Sequence, residues 1–186
     1  MALWKPNTAE IGPNEHIGRR LFDRPQLIGA LDQKPRHRLR LDHFLEKRDG
    51  GETSLDRMGE SCVNKGVRTY LAQRAIKSAG KFREPRQFNG WTVIHIRILR
   101  KPPHGAPVSV VPSPKTTAEL DELDKNIYHA HALPEGRNYN EMAFQLFWLF
   151  SEHGSTEYYK HELSWRERWV LIRARFRDWL RLSSQE

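Results

Sequence analysis

Residues 91–99, Trp-Thr-Val-Ile-His-Ile-Arg-Ile-Leu, narrow the folds open to this chain more than any other stretch. β-Branched residues crowd it, and His95 and Arg97 alternate with Ile94, Ile96 and Ile98. That is the period of a strand with one polar and one apolar face, so the chain must build a sheet and cover it. Residues 127–133 read as a second strand, ended by Pro134 and Gly136. Val108, Val110 and Val111 add a short edge strand inside a proline-rich loop, and residues 39–45 suggest a strand running into a turn.

The helical period appears elsewhere. Val67, Tyr70, Leu71 and Ala75 share a face of a helix over 66–78, with Gly80 as its stop. Thr116 and Glu119 have capping-box spacing and predict a short acidic helix over 116–123. Asn138 or Asn140 caps a helix through residue 150 whose Met142, Phe144, Phe147, Trp148, Leu149 and Phe150 are apolar nearly all round. Ser164 and Glu167 open a last helix, to about residue 182. Its Trp165, Trp169, Ile172, Phe176 and Trp179 form one stripe, expected to dock on the domain with the arginines in solvent. The expected class is α+β: a small, largely antiparallel sheet flanked by helices, with a C-terminal amphipathic helix. The expected organisation is an extended arm over 1–16, the α+β domain over 17–155 and the basic helix over 156–186.

Eight Phe, six Trp and five Tyr in 186 residues supply a core although 29% of the chain is charged. Cys62 is the only cysteine, which excludes an intramolecular disulfide and a cysteine-based zinc site and fits a reducing compartment. Residues 1–6 lack an apolar leader, and the most apolar run is too short to span a bilayer. A cytoplasmic protein with no membrane span is expected.

The net charge of +8 is unevenly placed: residues 61–101 carry +9, with Glu84 their single acid. Arg68, Arg74, Lys77, Lys81, Arg83, Arg86, Arg97 and Arg100 are therefore the candidate nucleic-acid contacts, with Phe82 and Phe88 interleaved for stacking. The leading expectation is a basic protein that contacts nucleic acid or a nucleoprotein, within a larger assembly. The C-terminal helix offers a second surface for a protein partner. No cofactor and no metal are implied: His129 and His131 share a side of their strand, but a histidine pair with no fixed carboxylate is a poor metal signature.

Three further clusters carry the alternative. Arg19-Arg20, then Thr53-Ser54-Leu55-Asp56-Arg57, then Asn126-Ile127-Tyr128-His129-Ala130 follow one another along the chain. This resembles small bacterial proteins with a paired arginine, a Leu-Ser-Val-Asp-Arg stretch and an Asn-Pro-x-His-Ala stretch. The chain departs from that pattern at Thr53, Leu55 and Ile127, and the resemblance implies a shared α+β module. An early arginine, a middle serine and a late glutamate also resemble NAD-dependent ADP-ribosyltransferases. That likeness implies Arg19 or Arg20 on the dinucleotide phosphates, Ser54 propping the site and Glu141 stabilising a cationic sugar. Histidine-based RNA cleavage through His129 or His131 is the other chemistry these residues admit. The candidate catalytic set is thus Arg20, Ser54, His129, His131 and Glu141, in an enzyme acting on NAD or RNA.

Overall fold

A computed structural model of the chain describes residues 3–23, 39–45, 52–60, 65–79, 87–122 and 124–158. Among these residues six strands form one sheet: β1 (His16–Asp23), β2 (Thr53–Gly59), β3 (Gln87–His95), β4 (Ser109–Pro112), β5 (His129–Leu133) and β6 (Ser155–Tyr158). Their order is β4-β5-β2-β1-β3-β6, and every pairing is antiparallel. Helices α1 (Lys65–Ala79), α2 (Ile96–Arg100) and α3 (Tyr139–His153) complete the α+β fold.

Strand alternation sorts residues between the two faces. Ile17, Leu55, Ile94, Ala130 and Ala132 face α3 and are buried with its Met142, Ala143, Leu146, Leu149 and Phe150. The two alanines leave room for the helix to lie close. Asn138 caps α3, its Oδ1 accepting from the Glu141 amide at 2.9 Å. On the other face Met58, Phe88, Trp91 and Val93 pack with Val67, Leu71, Ala72 and Ala75 of α1. Each fully buried leucine or isoleucine contributes about 1.5–3 kcal/mol.

The structure revises several element boundaries. β3 begins earlier than residue 91 and stops at His95, where the chain turns into α2. The His95 ring caps that turn by accepting from the Arg97 amide at 3.1 Å. Ile96 and Leu99, three apart, then both enter the α3-side core, so helical spacing buries isoleucines whose pattern also fits a strand. β5 begins at His129, because Asn126 bridges to Lys115 and its Oδ1 accepts from the Tyr128 amide at 3.0 Å. The described part of 116–123 forms turns in place of a helix, and 41–43 form a single 3-10 turn in place of a strand. β6 crosses the boundary expected at residue 155. Gly80 and the helix over 164–182 lie outside the described residues.

Arg57 helps tie down the segment before β1. The Arg57 guanidinium donates to Glu15 at 2.7 and 2.5 Å, to the Glu10 carbonyl at 3.0 Å and to the Asn7 carbonyl. The Trp4 ring lies 5.5 Å from that guanidinium and stacks on Tyr128. Among the described residues no helix is long and apolar enough to cross a membrane.

Candidate acid–base site on the β2–β5 face

The strands that give Leu55, Ala130 and Ala132 to α3 give their alternate residues to the opposite face. β2 pairs β5 with Ser54 opposite His131 and Asp56 opposite His129. The same alternation brings Arg20 of β1 beside Asp56. Four of the five candidate catalytic residues, Arg20, Ser54, His129 and His131, therefore converge around Asp56.

The contacts are specific. Arg20 donates to both Asp56 oxygens, at 2.5 and 2.8 Å, and Asn126 Nδ2 donates to the same carboxylate at 2.9 Å. His129 Nδ1 lies 3.0 Å from the Ser113 carbonyl. A carbonyl only accepts, so Nδ1 carries the proton and Nε2 presents its lone pair. That Nε2 lies 3.4 Å from Ser54 Oγ, a long contact whose hydrogen the hydroxyl supplies. The His131 ring stands edge-on to that of His129, centroids 4.5 Å apart, and its Nδ1 meets Glu52 at 2.6 Å. Exposure increases outward: Asp56 and His129 are buried, Ser54 is half-buried, and the Glu52 side chain is 34% exposed.

Burial pushes His129 down to about 3, helped by Lys115 and His131 and opposed by Asp56 and the Ser113 carbonyl. The ring is therefore neutral at neutral pH, while Asp56 favours any positive charge that develops on it. Burial alone raises Asp56, but the Arg20 charge and hydrogen bonds, with His129 and Asn126, outweigh it and hold the carboxyl below its usual range. At neutral pH the ring is thus a hydrogen-bond acceptor for the Ser54 hydroxyl, with a carboxylate beside it that favours the protonated form. Among the described residues no group of three or more His, Cys, Asp or Glu is placed to hold a metal ion.

Other candidates stand elsewhere. Arg19 points to the α3 face, donating to the His43 and Ser54 carbonyls at 2.6 Å each. Glu141 lies exposed in the first turn of α3, on the opposite side of the sheet from Ser54, so Arg20, Ser54 and Glu141 do not form one constellation. The basic segment is largely engaged within the molecule. Arg74 is buried and holds the Lys125 and Glu122 carbonyls at 2.5 and 2.9 Å. Lys77 pairs with Asp121 and Asp124, and Arg68 pairs with Glu157. Arg97 donates to Asn14 and Arg100 to the Ile11 carbonyl, and neither pairs with an acid among the described residues. Lys81, Arg83 and Arg86 lie outside the described residues.

The sequence reading missed the carboxylate beside the histidines. Glu52 lies two residues before Ser54 and reaches His131, a position strand alternation and the β2–β5 register together could have signalled. The Ser113 carbonyl that sets the His129 tautomer carries no side-chain signal. No family model matches the chain, and no curated protein or solved structure matches it either.

Proposed function

We propose that this protein is a small enzyme performing acid–base chemistry on a phosphate-linked ribose, with single-stranded RNA as its substrate class. The observation that carries the reading is His129, its Nδ1 hydrogen fixed on the Ser113 carbonyl and its Nε2 lone pair facing Ser54 Oγ at 3.4 Å. In this scheme the RNA 2′-hydroxyl attacks the adjacent phosphorus. Its proton passes to Ser54 Oγ as the Ser54 proton passes to His129 Nε2. Asp56 stabilises the imidazolium that results, and its own charge is kept in place by Arg20. His131, held by Glu52 at the outer end of the site, delivers a proton to the departing 5′-oxygen. The net charge of +8 supports a polyanionic substrate, and RNA supplies its own nucleophile.

A binding-only reading keeps one specific support: Arg97 and Arg100 are exposed and hydrogen-bonded only to neutral acceptors among their observed contacts. Incubation of the full chain with labelled single-stranded RNA separates the two. Cleavage by the parent that disappears in His129→Ala with His131→Ala, with RNA affinity retained, supports the enzyme. Tight, salt-sensitive binding without cleavage supports binding alone.

A further inference from the structure

A second feature lies across the sheet from the acid–base site. A cleft of about 660 Å³ opens at the N-terminal end of α3, lined by His104, Gly105, Asn140, Glu141, Phe144 and Trp148, among others. The volume falls in the range of small-ligand sites. Phe144 is 58% exposed, unusual for a phenylalanine on a helix whose neighbours fill the core. The His104 and Trp148 rings meet edge-on, centroids 5.9 Å apart, and both line the cleft beside exposed Phe144. Glu141 and Asn140 add acceptors at its rim, and no cation pairs with Glu141 among the described residues.

The wall is built rather than incidental. Arg137 donates to Gln145 Oε1 and to the Pro107 carbonyl, each at 2.6 Å, and Gln145 Nε2 donates to the Ala106 carbonyl. The loop lies against α3 at Gly105, where φ is +82° and an added Cβ would come within 2.7 Å of Gln145 Nε2. Among the described residues Arg137 bonds only neutral acceptors, and exposed Lys101 precedes His104 by three residues. Aromatic faces beside uncompensated cations suit a base joined to a phosphate, since every base has a π face and every nucleotide an anion.

We propose that this cleft is a stacking site for an unpaired nucleobase of single-stranded RNA, with Phe144 and Trp148 as the platform and Glu141 accepting hydrogen bonds from the base edge. The inference rests on the reading of RNA as substrate and adds where a nucleotide away from the cleavage point is held. Arg137, hydrogen-bonded to Gln145 of the cleft wall, and exposed Lys101, three residues before His104, are the cations assigned to its phosphates. Glu141 favours cytosine, adenine and guanine, whose amino groups donate, over uracil, which has only its ring N–H.

Polarisation binding with fluorescent oligo-C, oligo-U and duplex RNA tests it on the full chain. The parent binds oligo-C more tightly than oligo-U and both more tightly than the duplex. Phe144→Ala, at an exposed position that leaves the fold intact, weakens oligo-C binding at least about five-fold. Glu141→Gln removes the preference for C over U. Unchanged oligo-C affinity in Phe144→Ala, or a C-over-U preference surviving in Glu141→Gln, overturns the proposal. So does an apolar peptide that binds the parent through Phe144 while the oligonucleotides do not compete. The cleavage assay keeps the two readings apart. Parent cleavage with a cleft-independent affinity sinks only the stacking site, whereas Phe144-dependent binding without parent cleavage sinks only the enzyme.

Discussion

The two faces of the β2–β5 ladder are built from the same two short stretches of chain and do opposite things. Toward α3, Leu55, Ala130 and Ala132 are apolar, buried and packed on Met142, Leu146 and Phe150. Toward the other side, Ser54, Asp56, His129 and His131 are polar and interconnected, with Asp56 and His129 buried and Ser54 and His131 half-buried. Neighbouring arginines divide in the same way: Arg19 satisfies two carbonyls on the α3 side, while Arg20 clamps Asp56 on the other. One face provides stability through burial. The other spends stability on desolvating an aspartate and a histidine, which a fold alone does not require.

The comparison breaks most visibly at the apolar face. Leu146→Ala removes a side chain with no exposure and is expected to cost about 2–5 kcal/mol, read by denaturant unfolding. An effect below 1 kcal/mol would mean that α3 is not the main cover of the sheet. On the polar face, Asp56→Ala leaves Arg20 without its anion and is expected to cost about 3 kcal/mol. This is the low end for a broken buried pair, since 16% of the Arg20 side chain remains exposed. Replacing both Arg20 and Asp56 by apolar residues of similar volume should recover part of that loss, because the paired charges are desolvated together.

His129 gives a smaller effect with a distinctive pH dependence. Its folded pKa of about 3 lies below the unfolded value near 6.5, so the unfolded chain binds the proton first as the solution is acidified. This contribution is fully present above about pH 6.5 and is lost progressively as pH falls toward 3. Melting temperatures across that window should fall less steeply for His129→Gln than for the parent. Parallel pH profiles would show the ring to be accessible and ordinary. Asp56 acts in the same direction at lower pH, its stabilisation being present above the unfolded carboxyl value and lost as pH falls through its depressed folded value. Ser54→Ala is expected to change stability by no more than about 1 kcal/mol, because among the described residues the Ser54 Oγ makes a single long hydrogen bond, at 3.4 Å. In turnover, by contrast, its loss should lower the rate by a factor of a hundred or more if it relays the proton.

Much of this was legible in the sequence where local pattern and tertiary packing agree. The α1 and α3 helices, the Asn138 cap, the β4 edge and the shared side of His129 and His131 all follow from period and capping. The pattern at residues 94–99 satisfies two periods at once, and it is the α3-side core, which takes both Ile96 and Leu99, that the helical spacing serves. Charge counting had a different weakness. A run of cations reveals net charge but not where the acids from residues 121–124 and 157 fold back, so Lys77 and Arg68 look free in the sequence and are paired in the structure. The convergence of Arg20, Ser54 and His129 depends on strand order β5-β2-β1, which no local pattern contains.

The most direct test of the polar face is single-turnover cleavage of a short single-stranded RNA by the parent and by His129→Ala with His131→Ala, with folding and RNA affinity measured on the same samples. The account predicts that the parent generates 2′,3′-cyclic phosphate ends and that the double variant binds RNA comparably, remains folded and cleaves at least a hundred-fold more slowly. Cleavage at the parental rate by a folded double variant, or no cleavage by the parent under any buffer between pH 5 and 8, would contradict it.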